Sequence, residues 1–348
     1  MRLCLVLIAA GVALRQVDRA HFARKRPRTA PTADLISLQR RRVNNLTPLL
    51  LLIGQWLQIA GWWLLAAHGP LAAAVTAVAV AVHFRHLQEI SHFAVHGVLA
   101  RTARANLLLG EVFAHHPLAL APLPVRRRRH VHDHHPNATV VGTDPNLAEL
   151  HEASLRQGAT RVAFTMALIR PLTPRGIRST MAGIVKTLRH SPSRTITILA
   201  LAGGAFAIGG PAALIWGFLV PRLLLYPQLA HLSLLVEHTW FDPAVRTGPA
   251  AYVEAGRCLR LYPRNRFLAA LTAMTWLPYG DLHHYAHSAH PGMRWNYLPA
   301  LERHLPPPHF TPNGLLLGSP TVAGRHFSAL TPAPGISGGE TAPTRRAT

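Results

Sequence analysis

The chain has 348 residues, 49% hydrophobic and only 14% charged, which is too apolar for a disordered chain and low in charge for a soluble enzyme. Its 36 Lys plus Arg against 14 Asp plus Glu give a net charge of +22, suited to anionic lipid headgroups and acidic protein partners, whereas no zinc-finger, RNP-like or basic-zipper pattern supports nucleic-acid binding. Cys4 and Cys258 are the only cysteines, so a disulfide framework and a CxxC metal site are both excluded, and the 23 histidines stand out as the feature to be explained.

Residues 1 to 14, MRLCLVLIAAGVAL, read either as a short signal-like segment or as an extension from a misplaced start, and carry no weight in the fold argument. Together with the arginine-rich stretch ending at Arg40, Arg41 and Arg42 they make a basic N-terminal segment, 1–45. Leu46 to Ala67 holds no charge over 22 residues, the length a bilayer core requires, and Trp62 and Trp63 suit an interface belt. After a turn at His68, Gly69 and Pro70, the apolar run Leu71 to Val82 flows into HFRHLQEISHFAVH, which predicts one helix that leaves the membrane and carries its histidines just beyond the surface. Thr195 to Val220 is broken by Gly209, Gly210 and Pro211, and apolar sequence resumes after Arg222, which predicts two helices joined by a tight turn. The expected fold is therefore an all-α integral membrane domain over 46–305, with about four crossings in two hairpins. From Pro306 to 348 the chain is rich in Pro, Gly, Ser and Thr and reads as a disordered tail.

This topology places every histidine cluster on one side of the membrane. Arg40 to Arg42, Arg126 to Arg129 and the basic stretch 161–194 share that side, so the positive-inside bias makes it cytoplasmic.

His92 and His96 in SHFAVHG are spaced i, i+4 and share a helical face with Glu89. The run RRRRHVHDHHPNATVVGTDPNL carries His130, His132, His134 and His135, whose neutral imidazoles are the usual ligands of iron and zinc. Asp133 and Asp144 beside them suit acceptors that orient the rings. VEHTW supplies Glu237 and His238, and YGDLHHYAHSAHPGMRWNYLP supplies His283, His284, His287 and His290. Read as helix, His283, His287 and His290 form one row, so three rings can converge there. Four clusters exceed what one tetrahedral zinc can use, which implies two metals, and nitrogen-rich ligation without cysteine pairs suits iron better than magnesium or calcium.

In these motifs the sequence resembles the membrane fatty acid desaturase superfamily, with its three histidine boxes around two membrane hairpins. HxxxH is matched by His92 and His96. HxxxHH is matched by His130, His134 and His135 with a trailing GTDPN, and the EH pair by Glu237 and His238. HxxHH is matched by His284 and His287, followed by Pro291 and WNYLP. The last histidine of that box is replaced by Ser288, which leaves one ligand of the second iron open, with His283 or His290 as substitutes or an altered site as the alternative. The resemblance covers about 45–305 and implies a cytoplasmic-facing di-iron centre ligated by His92, His96, His130, His134, His135, His238, His284 and His287, with His132, His283 and His290 as further candidates and Asp133, Asp144 and Glu237 outside the ligand set. It implies removal of hydrogen from an unactivated C–H bond of a lipid acyl chain with O2. The two electrons come from outside, because the chain has no GxGxxG fingerprint, and an acidic ferredoxin or a cytochrome docking on the arginine-rich face is the simplest donor. Related hydroxylases and carotenoid-type oxygenases share the boxes. A histidine-rich transporter would need ionisable residues along its spans, and an inactive membrane scaffold is the reading that Ser288 keeps open.

Overall fold

The structure, a computed structural model, describes residues 1–242 and 247–331, without the side chains of residues 42 and 43. It is all-α, with only isolated bridges such as His238 to Cys258 among the described residues.

The N-terminal residues form a helix, α1 (Arg2–Lys25), laid against α2 (Thr47–Ala66). The two backbones approach so closely that a Cβ on Gly11 would stand 2.4 Å from the Gly54 carbonyl oxygen, a contact only glycine permits. α1 is thus packed structure, although residues 1–14 read from the sequence as a segment outside the fold.

α2 ends at the turn through Gly69, whose φ of 121° excludes ordinary L side chains, and Pro70 opens α3 (Pro70–Val95) in the first turn, where its missing N–H has no partner to lose. The 26 residues of α3 extend about 39 Å at 1.5 Å each, more than the ~30 Å of a bilayer core, and the helix carries His92 in its last turn. The hairpin of α2 and α3 is locked by a buried polar chain in which His83 Nδ1 donates to Gln55 Oε1 at 2.7 Å and Trp62 Nε1 donates to His83 Nε2 at 3.1 Å.

The connection that follows ends in a short π-helical segment, α4 (Arg128–His134), and the chain returns through an amphipathic helix, α5 (Pro174–Arg189). Next comes an apolar helical stretch, Pro192–Leu235. It begins as α6 (Pro192–Leu214), which is interrupted at Gly209 and at Gly210, where φ is 64°, and it ends as α7 (Tyr226–Leu235). Trp63 of α2 fits this break and donates its indole N–H to Gly217 O at 2.8 Å. Among the described residues three helical stretches are therefore long and apolar enough to cross a bilayer, α2, α3 and Pro192–Leu235, where the sequence suggested about four crossings. Outward-facing Leu199 and Phe206 give the third stretch an apolar exterior.

The rest of the chain caps one end of these helices. α8 (His284–Ala289) is wholly buried. The segment read as a structureless tail from Pro306 instead carries a helix, α9 (Val322–Leu330), held by buried Val322 and Leu330 and by His326, whose Nε2 meets the Leu235 carbonyl oxygen at 2.9 Å, a buried face that composition alone obscures. Residues 332–348 of that expected tail lie outside the described residues.

Candidate metal centre

The end of α3, α4 with the residue that follows it, the residues following α7, and α8 meet at one place, and each delivers imidazoles there. In one group, ligand atoms of His92, His96, His130, His135 and His287 all lie within 4.8 Å of one another. Their inward nitrogens crowd together: His92 Nε2 is 2.7 Å from His130 Nε2 and 3.1 Å from His96 Nε2, and His96 Nε2 is 3.3 Å from His135 Nε2. In the adjoining group His134 and His238 lie with Glu237, and His284 lies with Glu237 and Asp281, again within 4.8 Å. His238 and His284 meet Nε2 to Nε2 at 3.3 Å. Neighbours in sequence go to different groups. His134 and His135, with ring centroids 5.5 Å apart, point to different positions, as do His284 and His287 at 5.7 Å, so the two positions are side by side.

The local structure explains this division. In α8, His284 and His287 are offset by only about 60° around the helix but by about 4.5 Å along it, while α4 is wound as a π-helix and reaches His134 and His135 as it ends. The outer nitrogens are held from behind. Glu89 Oε1 lies 3.2 Å from His92 Nδ1, and Asp144 Oδ1 lies 2.9 Å from His134 Nδ1 while its other oxygen accepts the Thr139 N–H. A proton fixed on Nδ1 leaves Nε2 with its lone pair directed inward, the arrangement metal-binding histidines use.

The remaining sequence candidates are elsewhere. His132 and Asp133 are exposed and belong to neither group, and the Asp133 carboxylate orients no ring. His283 does not join His287 in a row, because the chain makes a tight turn at Asp281–His283 before α8 begins; its Nδ1 meets Glu302 Oε2 at 2.5 Å. His290 lies beyond the end of α8, with Nε2 3.3 Å from Thr32 Oγ1. Neither supplies the histidine missing at Ser288, whose hydroxyl donates to Glu254 Oε2 at 2.9 Å. Sequence reasoning overlooked Glu254 and Cys258 in this role, since neither lies in a histidine box. It also overlooked Asp281, which with Glu89 flanks the buried Arg85 guanidinium.

Electrostatics favour uncharged imidazoles. Burial, and then the neighbouring rings, push His130, His238, His284 and His287 well below the usual histidine range. Burial works to raise Asp144, but the hydrogen bond from His134 and those from the Thr139 and Asn146 N–H groups outweigh it and keep the carboxyl below its usual range. Burial and the nearby Asp281 push Glu237 well above.

The donor set fits metal ions. Buried His134 Nε2, His135 Nδ1 and both nitrogens of His287 have no hydrogen-bond partner. Each such orphan costs about 1–3 kcal/mol, and a bound cation would satisfy His134 Nε2 and one nitrogen of His287. Donors that are mostly nitrogen suit iron or zinc rather than calcium or magnesium. Beside the site lies a cavity of about 1100 Å³ bordered by His92, His130, Glu237, Arg126, Arg222 and Tyr226.

The sequence pattern of the fatty acid desaturase family matches residues 61–315, well over half of the chain and all the grouped histidines. No curated protein matches the sequence.

Proposed function

Because the chain belongs to the fatty acid desaturase family, we propose that it is a membrane-bound oxidoreductase that uses O2 to introduce a double bond into a lipid acyl chain at a pair of irons. The observation that carries this reading is the buried pair of imidazole groups with unpaired nitrogens beside a cavity of about 1100 Å³.

His92, His96, His130, His135 and His287 would hold one iron, and His134, His238 and His284 the other. The two irons would supply the activation of O2 and the abstraction of hydrogen from a C–H bond that no side chain can attack. The protein's own part is to set the imidazoles. Glu89 and Asp144 fix the Nδ1 protons of His92 and His134, so that these rings present a lone pair without reorganisation. The apolar helices keep water from the opposite side, and the cavity positions the chain against His92, His130 and Glu237.

Four crossings, with the break at Gly209 and Gly210 as the second hairpin turn, would put all the ligand-bearing segments on one side, which the basic stretches make cytoplasmic. Electrons would arrive from an acidic ferredoxin or a cytochrome. The exposed arginines 127, 128 and 129 suit such a partner, because they flank His130 directly in the chain.

The test is iron content and lipid product analysis on detergent-purified protein. Iron near two per chain, with an unsaturated product formed only with O2 and reductant, is the expected result; zinc alone, or no metal in a folded sample, overturns it.

A further inference from the structure

The histidine absent at Ser288 belongs to one metal position only. Residues 284 and 288 are i, i+4 on α8 and share a face, whereas His287 faces the five-histidine group. The position short of a ligand is therefore the one served by His134, His238 and His284.

Two side chains could make good the loss. Cys258 lies within reach of His238 and His284, but its Sγ stands 3.4 Å from His238 Nδ1, on the far side of the ring from the Nε2 that meets His284. A ring that gives Nε2 to a metal has only its Nδ1–H for Cys258. The thiol in turn donates to Glu254 Oε2 at 3.3 Å, the oxygen that also accepts from Ser288. Cys258, Glu254 and Ser288 thus form a support behind His238, outside the ligand sphere.

Glu237 is placed differently. Its carboxylate lies within 4.8 Å of the ligand atoms of His134 and His238 in one grouping and of His284 and Asp281 in the other, and it borders the cavity. Among the described residues it accepts no hydrogen bond, although it stands near the carboxylate of Asp281. The carboxylate is half-buried, and its oxygens are left open on the cavity side, where a bound cation would offset the repulsion from Asp281.

Resting on the di-iron reading above, we propose that Glu237 is itself a metal ligand, so that the second position is held by three histidines and one carboxylate. The sequence placed this residue outside the ligand set. An anionic oxygen in place of an imidazole makes the two irons chemically unequal.

The experiment is iron stoichiometry and Mössbauer spectroscopy on the full chain in detergent, loaded with ⁵⁷Fe, for the parent, Glu237→Ala, Glu237→His and the double variant Glu237→Ala with Ser288→His. The parent should show about two irons in two distinct environments. Glu237→Ala should retain about one, with the lost signal belonging to a single environment. Glu237→His should retain both and shift the parameters of that same environment alone, and the double variant should regain the second iron. Two irons in Glu237→Ala with an unchanged spectrum overturn the assignment. Should Glu237→Ala not fold, an unshifted Glu237→His spectrum overturns it equally. A folded parent that binds no iron fails the di-iron reading itself, which separates the two failures.

Discussion

Asp144 Oδ1 sits 2.9 Å from His134 Nδ1, and the opposite nitrogen of that ring is buried and unpartnered. The same carboxylate caps the helix Pro145–Glu152 through the Asn146 N–H. The two tasks can be separated. Asp144→Asn keeps a good helix cap but weakens the hold on the Nδ1 proton, so metal affinity at one of the two positions should fall about 10–100-fold with little loss of stability. Asp144→Ala should lose a further ~1 kcal/mol of stability from the cap. Chelator competition and thermal unfolding read the two effects; equal affinity in parent and Asp144→Asn would remove the orienting role.

Cys258 is expected to act through His238. Cys258→Ser retains a group that can accept from Nδ1–H and donate to Glu254, whereas Cys258→Ala leaves both without that partner. The alanine variant should therefore release one iron to chelator faster than the parent, and the serine variant should be close to the parent. If alanine and parent release iron at the same rate, the support behind His238 is dispensable.

Arg85 is 3% exposed, and its guanidinium meets Asp281, the Ser233 hydroxyl at 2.8 Å and Glu89 at 3.3 Å. It joins α3 to α7 and to the turn before α8, and so sets the helix ends from which the ligands project. Arg85→Met leaves two buried carboxylates without their cation and should destabilise the protein by about 3–5 kcal/mol. Adding Glu89→Gln and Asp281→Asn should recover much of that loss. Unfolding in detergent checks both statements, and a stable single variant would mean that water reaches the cluster.

The sequence made much of this legible. The span 46–67 and the histidine boxes could be read because charge-free length and i, i+4 spacing are local signals. The partition of the rings was not readable, since His134 and His135 are adjacent in sequence and their separation depends on where the π-helical segment ends. His283 was misjudged because the turn at Asp281–His283 moves the start of the helix by one residue, and one residue is 100° of rotation. Cys258 and Glu254 come from a segment with no histidine, and only the fold brings them to His238.

Acid should destabilise the metal-free protein, and the sign follows from the buried histidines. Burial pushes His115 down to about 3 and His326 to about 4, and it lowers His283, against 6.5 for each as an ordinary histidine. Below pH 6.5 the unfolded chain binds protons that the fold refuses, so stability falls as pH falls, until about pH 4 for His326 and about pH 3 for His115. Each such group contributes on the order of 1 kcal/mol per pH unit within its window. The buried ring nitrogens of the metal centre act in the same direction once the metal is gone. Asp18, raised to about 6 by burial, acts oppositely between about 6 and 3.8, as do Glu237 and Asp281 above their usual range, but these carboxyls are fewer than the histidines. The melting temperature of chelator-treated protein should therefore drop steadily from pH 7.5 to pH 5. His326→Phe removes one titrating group from a pocket already bordered by the Phe241 ring, and should make the decline shallower. A melting temperature that stays level or rises over this range would mean that these histidines are protonated in the fold.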